Sequence, residues 1–237
     1  MAKNDIMEAR RDNIIDAAMK VFAEKAFSEV NVSDISKEAG VSTPVLYEYF
    51  KTKEDMLFAI PEKYTKEPIR LLEGVIPYLR GAEAKIRAIV QGYMTLYEQN
   101  PLYSSIVILQ LKSNRNFVKT NAYQMIRKVA RILLNCIKEG IDDGTFKEDT
   151  DPFLIRSMIL GSIEHLCTRK LLLGSPSDLV AFADPMIDAI LAGIRTQPKQ
   201  LSMNLSLNNA DIIKSLISET LRDAKDTAPK RKKASNK

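Results

Sequence analysis

The stretch VSDISKEAGVSTPVLYEYF, residues 32–50, decides the fold of the N-terminal part of this chain. Its centre, Ala39-Gly40-Val41-Ser42, predicts a tight corner between two short helices, because Gly40 can adopt the positive φ that ends a helix. Ser42 is a good N-cap for the second helix, and Pro44 falls in its first turn, where a missing N–H costs nothing. This pattern predicts a helix-turn-helix whose second helix fits the major groove of DNA, with free N–H groups at Ser42 that suit phosphate contact.

Helical patterns continue upstream of this corner. Apolar residues at helical spacing predict a first helix over residues 8–25. Asn31, with Asp34 three residues later, is typical of the capping box that starts a helix. Residues 8–50 are therefore predicted to contain three helices, of which the last two, both short, form the corner.

The remainder of the chain also has helical spacing and no sustained period-2 alternation, which predicts an all-α fold. A fourth helix is expected from about Lys53 towards Arg80, with an interruption around Pro61 and Pro68. Pro185 predicts a kink in the last helix of the bundle. The further helices are predicted over residues 82–99, 102–111, 117–140, 151–173 and 176–195.

These patterns divide the chain into four parts. An N-terminal three-helix helix-turn-helix domain over residues 1–55 is followed by a helical bundle over residues 56–195. Residues 196–224 are predicted to be a linker with room for one extra helix. Residues 225–237 have the basic, polar composition of a disordered tail.

The net charge of +5 says little about nucleic-acid binding. The tail over residues 225–237 carries six basic side chains and one acidic one, so it accounts for the whole excess. Residues 1–60 hold eight basic and eleven acidic side chains. A DNA site must therefore depend on the local arrangement of charge.

Composition excludes several classes of protein. No stretch approaches the roughly 18 apolar residues of a membrane span, and the polar N-terminus lacks the apolar centre of a signal peptide. The two cysteines form no metal or redox motif, and the one histidine, His165, excludes a histidine-rich metal site. Zinc-enzyme motifs, phosphate loops and nucleophile elbows are absent from the sequence. We therefore expect a cytoplasmic protein that is not an enzyme, with no metal, no cofactor and no membrane partner.

The helix-turn-helix resembles the signature of the TetR family of transcriptional regulators. The resemblance covers about residues 10–58 and implies a homodimer, a roughly palindromic operator in double-stranded DNA, and a C-terminal domain that binds a small-molecule effector. The matching positions are Val32 to Ser42, Leu46 to Phe50, Lys53, Glu54 and Leu57, with Arg11, Ile14, Ala17, Ala18, Phe22 and Phe27 upstream.

The resemblance also implies roles for single residues. Thr43, Pro44 and Val45 match base-facing positions, and their methyl and ring groups can pack on thymine methyls. Tyr47 and Tyr49 match phosphate contacts, with base-edge contact also open to Tyr47, and Lys53 matches a phosphate ligand. The second helix exposes no arginine, lysine, asparagine or glutamine, so apolar contact and DNA shape are expected to carry much of the specificity.

Structural alternatives stay open at these positions. Either tyrosine could be a core residue, and Lys53 could be a solvated lysine at a helix start. Two residues depart from the family pattern: Ala26 stands where glycine is usual, and Val30 where threonine is usual. The first change could strain the end of the first helix, and the second could remove a hydroxyl from the DNA side.

The bundle carries the dimerisation hypothesis. Small residues of the helix over residues 151–173 lie on one stripe, and the next helix adds further small residues. Small residues let helices approach closely, and the resemblance implies a four-helix interface built from two such helices of each subunit. Internal packing within one subunit is the alternative. The small residues are Ser157, Gly161, Thr168, Ala181, Ala189, Ala192 and Gly193.

A ligand cavity is harder to locate from sequence. Tyr93 and Tyr97 share a helix face, and aromatic and methionine side chains with polar tips suit a small apolar ligand. His165 and Arg169 could hold a ligand head group, or could satisfy neighbours or lie at the dimer edge. Ordinary core packing is the alternative for every candidate. The candidates are Tyr93, Met94, Tyr97, Tyr103, Tyr123, Ile126, His165 and Arg169.

Residues 139–146 and 159–163 are weakly similar to acyl-CoA-responsive members of the family. The sequence thus predicts a repressor that a largely apolar ligand, of acyl-CoA type, releases from its operator. The ligand would favour a spacing of the two recognition helices that does not match about one DNA turn. The alternative is a helical dimeric adaptor that has lost operator binding.

Overall fold

The computed structural model describes residues 3–112 and 114–196, and the regular elements in these ranges are helices. The predicted linker, extra helix and basic tail beyond residue 196 lie outside the described residues. Over the described ranges, no helix combines the length and apolar character that a membrane crossing requires. The helices are α1 (Lys3–Glu24), α2 (Val32–Ala39), α3 (Thr43–Tyr49), α4 (Lys53–Val75), α5 (Ala82–Gln99), α6 (Pro101–Ser105), α7 (Asn121–Asp142), α8 (Pro152–Leu173) and α9 (Ala183–Ala192).

The predicted corner between α2 and α3 is confirmed. Gly40 has φ +65° and donates its N–H to the carbonyls that end α2. The capping box of Asn31 and Asp34 starts α2, as predicted. Ser42 is the N-cap residue of α3, but its side chain makes no capping hydrogen bond. The first three helices share one core, in which Ile14, Ala18, Phe22, Ile35 and Leu46 are fully buried.

The predicted interruption of the fourth helix is wrong, because α4 runs continuously from Lys53 to Val75 through Pro61 and Pro68. Each proline removes one backbone donor, but the helix is stabilised along its length by packing against α1 and α7. Thr52 caps it, accepting the N–H of Asp55. α4 therefore crosses the predicted domain boundary at residue 55 as one rod, and the boundary itself stays a prediction.

Two further helices differ from the sequence prediction at their starts. α7 begins at Asn121 rather than at residue 117, because the Thr120 hydroxyl accepts the N–H of Tyr123 at 3.1 Å and caps the helix there. α6 is short and leads directly into a π-helical segment over Ile106–Leu111. The predicted helix over residues 102–111 is thus present, with α-helical geometry in its first part and π-helical geometry in the rest.

The last helix is shorter than predicted and has no proline kink. α9 begins at Ala183, so Pro185 lies in its first turn, where proline is tolerated. The preceding loop is held by the carboxylate of Glu98, which accepts the N–H groups of Leu179 and Val180 at 3.1 and 3.2 Å. Lys170 pairs with the same carboxylate at 2.5 Å. These bonds anchor the loop to α5, around which α4, α7, α8 and α9 pack.

Candidate DNA-binding helix and ligand cavity

The short helix α3 presents one face to solvent and buries the other. Pro44 and Tyr47 are exposed, and 49% of the surface of Tyr47 is accessible to solvent. Thr43, Val45 and Tyr49 are half-buried, while Leu46 is fully buried in the core. The residues predicted to face bases thus lie at the start of a helix whose inner side is fixed by packing.

The Thr43 hydroxyl is engaged within the protein. Its Oγ1 lies 3.2 Å from the Ser36 Oγ, which also donates to the Ser33 carbonyl at 3.0 Å. This chain of bonds joins the start of α3 to α2. It therefore fixes the rotation of α3 about its axis and the direction in which Pro44 and Tyr47 point.

Lys53 has a structural role that the sequence did not reveal. Its Nζ donates to the carbonyls of Phe27 and Val30 at 2.6 and 2.8 Å and lies 4.3 Å from the centre of the Phe27 ring. The ammonium thus stabilises the connection between α1 and α2. Its contact with phosphate stays a prediction.

The two departures from the family pattern have small structural consequences. Ala26 has φ −61°, an ordinary value, so the absence of glycine introduces no backbone strain. Val30 is only 2% exposed and packs in the core. The expected loss of a hydroxyl from the DNA side is therefore wrong, because this side chain does not lie on the surface.

The two acidic side chains of α2 are paired with lysines of the N-terminal part of the chain. Lys20 contacts Glu38 at 2.8 Å, and Lys25 contacts Asp34 at 3.2 Å. The Lys25 ammonium, together with the Asn31 N–H, holds the pKa of the Asp34 carboxyl below its usual value. The acidic side chains of α2 are thus tied to α1 and to the residue that follows it.

A cavity of about 570 Å³ lies among α4, α5, α6 and α7. Its size is typical of a small-molecule site. Four of the predicted ligand residues line it: Tyr93, Tyr97, Tyr103 and Ile126. The α4 wall was not predicted from the sequence, because Pro61 and Pro68 suggested an interruption of this helix. The other lining residues are Thr65, Pro68, Ile69, Leu71, Leu72, Val75, Ala88, Ile89, Gln91, Gly92, Thr95, Leu96, Gln99, Asn100 and Val129.

The other four predicted ligand residues do not line this cavity, and their contact with a ligand stays a prediction. Met94 is fully buried in the core on another face of α5. Tyr123 packs edge-on against Phe117, with ring centres 5.7 Å apart. His165 and Arg169 are exposed on α8, one turn apart, so they point to solvent rather than into the bundle.

None of the cavity-lining residues carries a charge. Thr65 and Tyr103 share a buried hydrogen bond of 2.8 Å between their hydroxyls, and burial raises the pKa of Tyr103 to about 12. Burial also raises the pKa of Tyr97, which is 7% exposed. The tyrosines are therefore neutral hydroxyl groups at any physiological pH. Such a cavity can take an apolar chain and a neutral polar group, whereas a charged group would lose its solvation there.

A row of tyrosines leads from the cavity to the helix-turn-helix. The rings of Tyr93 and Tyr97 are 5.9 Å apart, those of Tyr97 and Tyr103 6.2 Å, and those of Tyr103 and Tyr64 5.9 Å. The Tyr64 hydroxyl donates to Asp16 of α1 at 2.9 Å. The walls of the cavity are thus in continuous contact with the N-terminal domain.

The outward face of α8 is apolar and exposed. Leu154 and Met158 are 56% and 45% exposed, and Gly161 and His165 follow at helical spacing on the same face. On α9, Ala189 and Ala192, which are three residues apart and share a helix face, are also exposed. These two helices together present the small and apolar surface that the sequence assigned to dimerisation.

Two family models match this chain and together cover most of the described residues. Residues 14–60 match the model described as bacterial regulatory proteins, tetR family. Residues 71–193, more than half of the chain, match the model described as YsiA-like protein, C-terminal region. The first match contains the α2–α3 corner, and the second contains most of the cavity.

Known proteins are similar to this chain over more than three quarters of its length. The fatty acid metabolism regulator protein of Bacillus subtilis is 29% identical over 184 residues, which are 78% of this chain and 95% of that protein. The structure of the transcriptional regulator FadR from Bacillus subtilis, in complex with stearoyl-CoA, is 30% identical with a TM-score of 0.71. It covers 77% of this chain and 98% of that one.

A second solved structure, the fatty acid degradation regulator FadR from Bacillus halodurans, is 25% identical with a TM-score of 0.71. The match covers 79% of this chain and 97% of that one. These matching proteins are regulators, not enzymes, and their fold agrees with the predicted all-α class.

Proposed function

Since this chain belongs to the tetR family of bacterial regulatory proteins, we propose that it is a homodimeric transcriptional repressor in the cytoplasm. In this proposal it binds a palindromic operator in double-stranded DNA. A long-chain acyl-CoA enters the cavity among α4, α5 and α7 and releases the protein from the operator. The largely apolar cavity of about 570 Å³, with no charged lining residue, is the observation that carries the choice of ligand.

The chemistry of the cavity fits an acyl thioester better than a free fatty acid. A carboxylate drawn into this cavity would find tyrosine hydroxyls but no cation among the lining residues. An acyl-CoA can bury its neutral chain and leave its phosphates in water. The matching structure of the regulator from Bacillus subtilis contains stearoyl-CoA, which supports the same class of ligand.

The main test is a titration on the purified protein. Random double-stranded DNA is first selected on the protein, and a two-fold-symmetric enriched sequence is expected. Stearoyl-CoA should then lower the affinity for that sequence, whereas CoA alone and stearate should have little effect. No enrichment by folded, dimeric protein, with or without stearoyl-CoA, would favour the adaptor alternative. Enrichment only with the ligand would show the opposite sign of regulation.

Tyr47 allows a sharp test of DNA contact. Tyr47→Phe removes one exposed hydroxyl and keeps the ring, so the fold should be unchanged. If the hydroxyl donates to a phosphate, operator affinity should fall on the order of 10- to 100-fold, the usual range for a hydrogen bond to a charged group. Glu48→Ala, at the exposed neighbouring position, is the control and should not weaken binding. Equal affinities of Tyr47→Phe and the native protein, measured by fluorescence anisotropy, would place the DNA contacts elsewhere.

The exposed face of α8 predicts the site of dimerisation. Met158→Glu places a carboxylate in the middle of this apolar face, where a partner helix would strip its water. We expect the variant to be monomeric at micromolar concentration and to bind the operator much more weakly, because one protomer contacts only half of it. Glu148→Ala, outside α8, is the control. A dimeric Met158→Glu protein in analytical ultracentrifugation would assign the interface to another surface.

A further inference from the structure

The mouth of the cavity can be located from exposure. Residues that line the cavity and are also exposed must lie where it opens to solvent. On α4 these are Leu71 and Val75, which are 58% and 50% exposed. On α5 they are Gln91, Gly92 and Gln99. The opening therefore lies between the C-terminal half of α4 and the middle of α5.

Gly92 is unusual among the residues at this mouth. It lies in the interior of α5, where glycine is less stable than alanine because its backbone loses more conformational freedom. It is not one of the glycines with positive φ, which are Gly40, Gly81, Gly144 and Gly174. A positive φ is therefore not the reason for glycine at this position.

Close packing within the protein does not explain the glycine at position 92 either. A Cβ atom built on Gly92 would meet no heavy atom within 4 Å. By contrast, a Cβ on Gly140 of α7 would lie 2.3 Å from the Phe146 ring. The space beside Gly92 is therefore open, and Gly92 itself lines the cavity.

The neighbouring residues extend this space along α5. Ala88 and Thr95, one turn before and after Gly92, also line the cavity and have small side chains. Large apolar residues of α4, Leu71 and Val75, form the other side of the opening. An opening with small side chains on one side and large apolar side chains on the other suits a polymethylene chain.

A second observation concerns the contact that a bound molecule could make inside the cavity. Tyr97 lines the cavity and is only 7% exposed, so its side chain is within reach of a molecule held there. A tyrosine hydroxyl can donate to a neutral acceptor on that molecule, such as a thioester carbonyl.

We infer that Gly92 forms the portal of the cavity, where the acyl chain of the ligand passes between α4 and α5 in contact with the Gly92 backbone. The inference rests on the proposed function for the identity of the ligand, but not for the position of the entrance. A side chain at position 92 would occupy the passage. The size of the residue at position 92 thus decides whether an acyl chain can enter the cavity. The tyrosines that line the cavity contact the part of the acyl chain that lies inside.

The test compares leucine at two helical glycines. Gly92→Leu should lower the affinity for stearoyl-CoA at least tenfold in calorimetry and leave operator binding without ligand unchanged. Gly74→Leu is the matched control, because Gly74 also lies in a helix with nothing within 4 Å of a built Cβ but does not line the cavity. It should bind stearoyl-CoA like the native protein. Gly92→Ala should raise the Tm by roughly 2–4 °C, as a helical glycine replaced without a clash, and reduce affinity only slightly.

The neutral apolar dye Nile red separates the portal from the identity of the ligand. If the native protein ignores stearoyl-CoA but takes up the dye, and Gly92→Leu does not, the proposed ligand is wrong and the portal stands. If Gly92→Leu binds both probes as tightly as the native protein, the portal is wrong. If the native protein takes up neither probe, the cavity admits no apolar guest and both proposals fail.

Discussion

Gly140→Ala should destabilise the protein, with a loss of about 1–3 kcal/mol in the free energy of unfolding that is typical of an overpacked core. A Cβ at this position would lie 2.3 Å from two atoms of the Phe146 ring and 2.8 Å from the Cβ of Ala82. Phe146 and Ala82 are 1% and 0% exposed, so neither can move into solvent. The Phe146 N–H also donates to the Gly140 carbonyl at 2.7 Å, which holds the ring over the helix.

The same substitution elsewhere should have the opposite sign. Gly74→Ala adds a methyl group to an exposed helical glycine with open space around it, and we expect it to stabilise by up to about 1 kcal/mol. Urea midpoints of both variants, measured at one protein concentration because dimerisation contributes to stability, give the comparison. A Gly140→Ala protein as stable as Gly74→Ala would show that Phe146 is not fixed over α7.

The contact between Gly140 and Phe146 gives a physical reason for a sequence similarity. The stretch over residues 139–146 is weakly similar to acyl-CoA-responsive members of the family. In the structure it ends α7 and folds back on it, with Gly144 at φ +78° and the Thr145 N–H bonded to Asp143. The similarity therefore concerns a turn that closes the bundle, and these residues do not line the cavity.

The corner between α2 and α3 was predictable because its signals are local. Gly40, Pro44 and the Asn31–Asp34 box act through the backbone of adjacent residues, and each has the predicted position in the structure. The course of α4 was not predictable in the same way. Pro61 and Pro68 break local rules, and only the packing of α4 against α1 and α7 keeps the helix continuous.

The cavity shows the same division between local and distant causes. Tyr93 and Tyr97 share a face of one helix, so their proximity followed from spacing. That Thr65 lies against Tyr103 depends on how two helices distant in sequence cross, which no spacing within either helix encodes. His165 was grouped with the ligand residues because a polar group in an apolar helix suggests a site, but the exposed face of α8 explains it equally well.

Asp16→Ala should separate ligand binding from DNA release. Asp16 joins α1 to α4 through two contacts, with the Lys63 ammonium at 2.5 Å and the Tyr64 hydroxyl at 2.9 Å. Tyr64 stacks on Tyr103, whose hydroxyl bonds to Thr65 in the cavity wall. A ligand that displaces this wall would move Asp16, and with it the helix on which α2 and α3 are packed. Without the Asp16 carboxylate, a movement of α4 should displace α1 less than it does in the native protein.

The expected result is a loss of coupling with both binding sites intact. Ligand and operator typically change each other's affinity about 5- to 150-fold in coupled systems. In Asp16→Ala we expect this factor to approach one, while stearoyl-CoA binding to the free protein and operator binding without ligand stay within a few-fold of native values. Glu8→Ala is the control, because it removes the same charge from an exposed position of α1.

Linkage makes this prediction testable from both sides. The factor by which stearoyl-CoA weakens operator binding must equal the factor by which the operator weakens stearoyl-CoA binding. Both factors should fall together in Asp16→Ala and stay unchanged in Glu8→Ala. If both stay native in Asp16→Ala, the signal does not depend on this contact. Another bond between the N-terminal helices and the bundle, from the Gln110 amide to the Phe22 carbonyl, would then be the next to remove, because it joins the π-helical segment to α1.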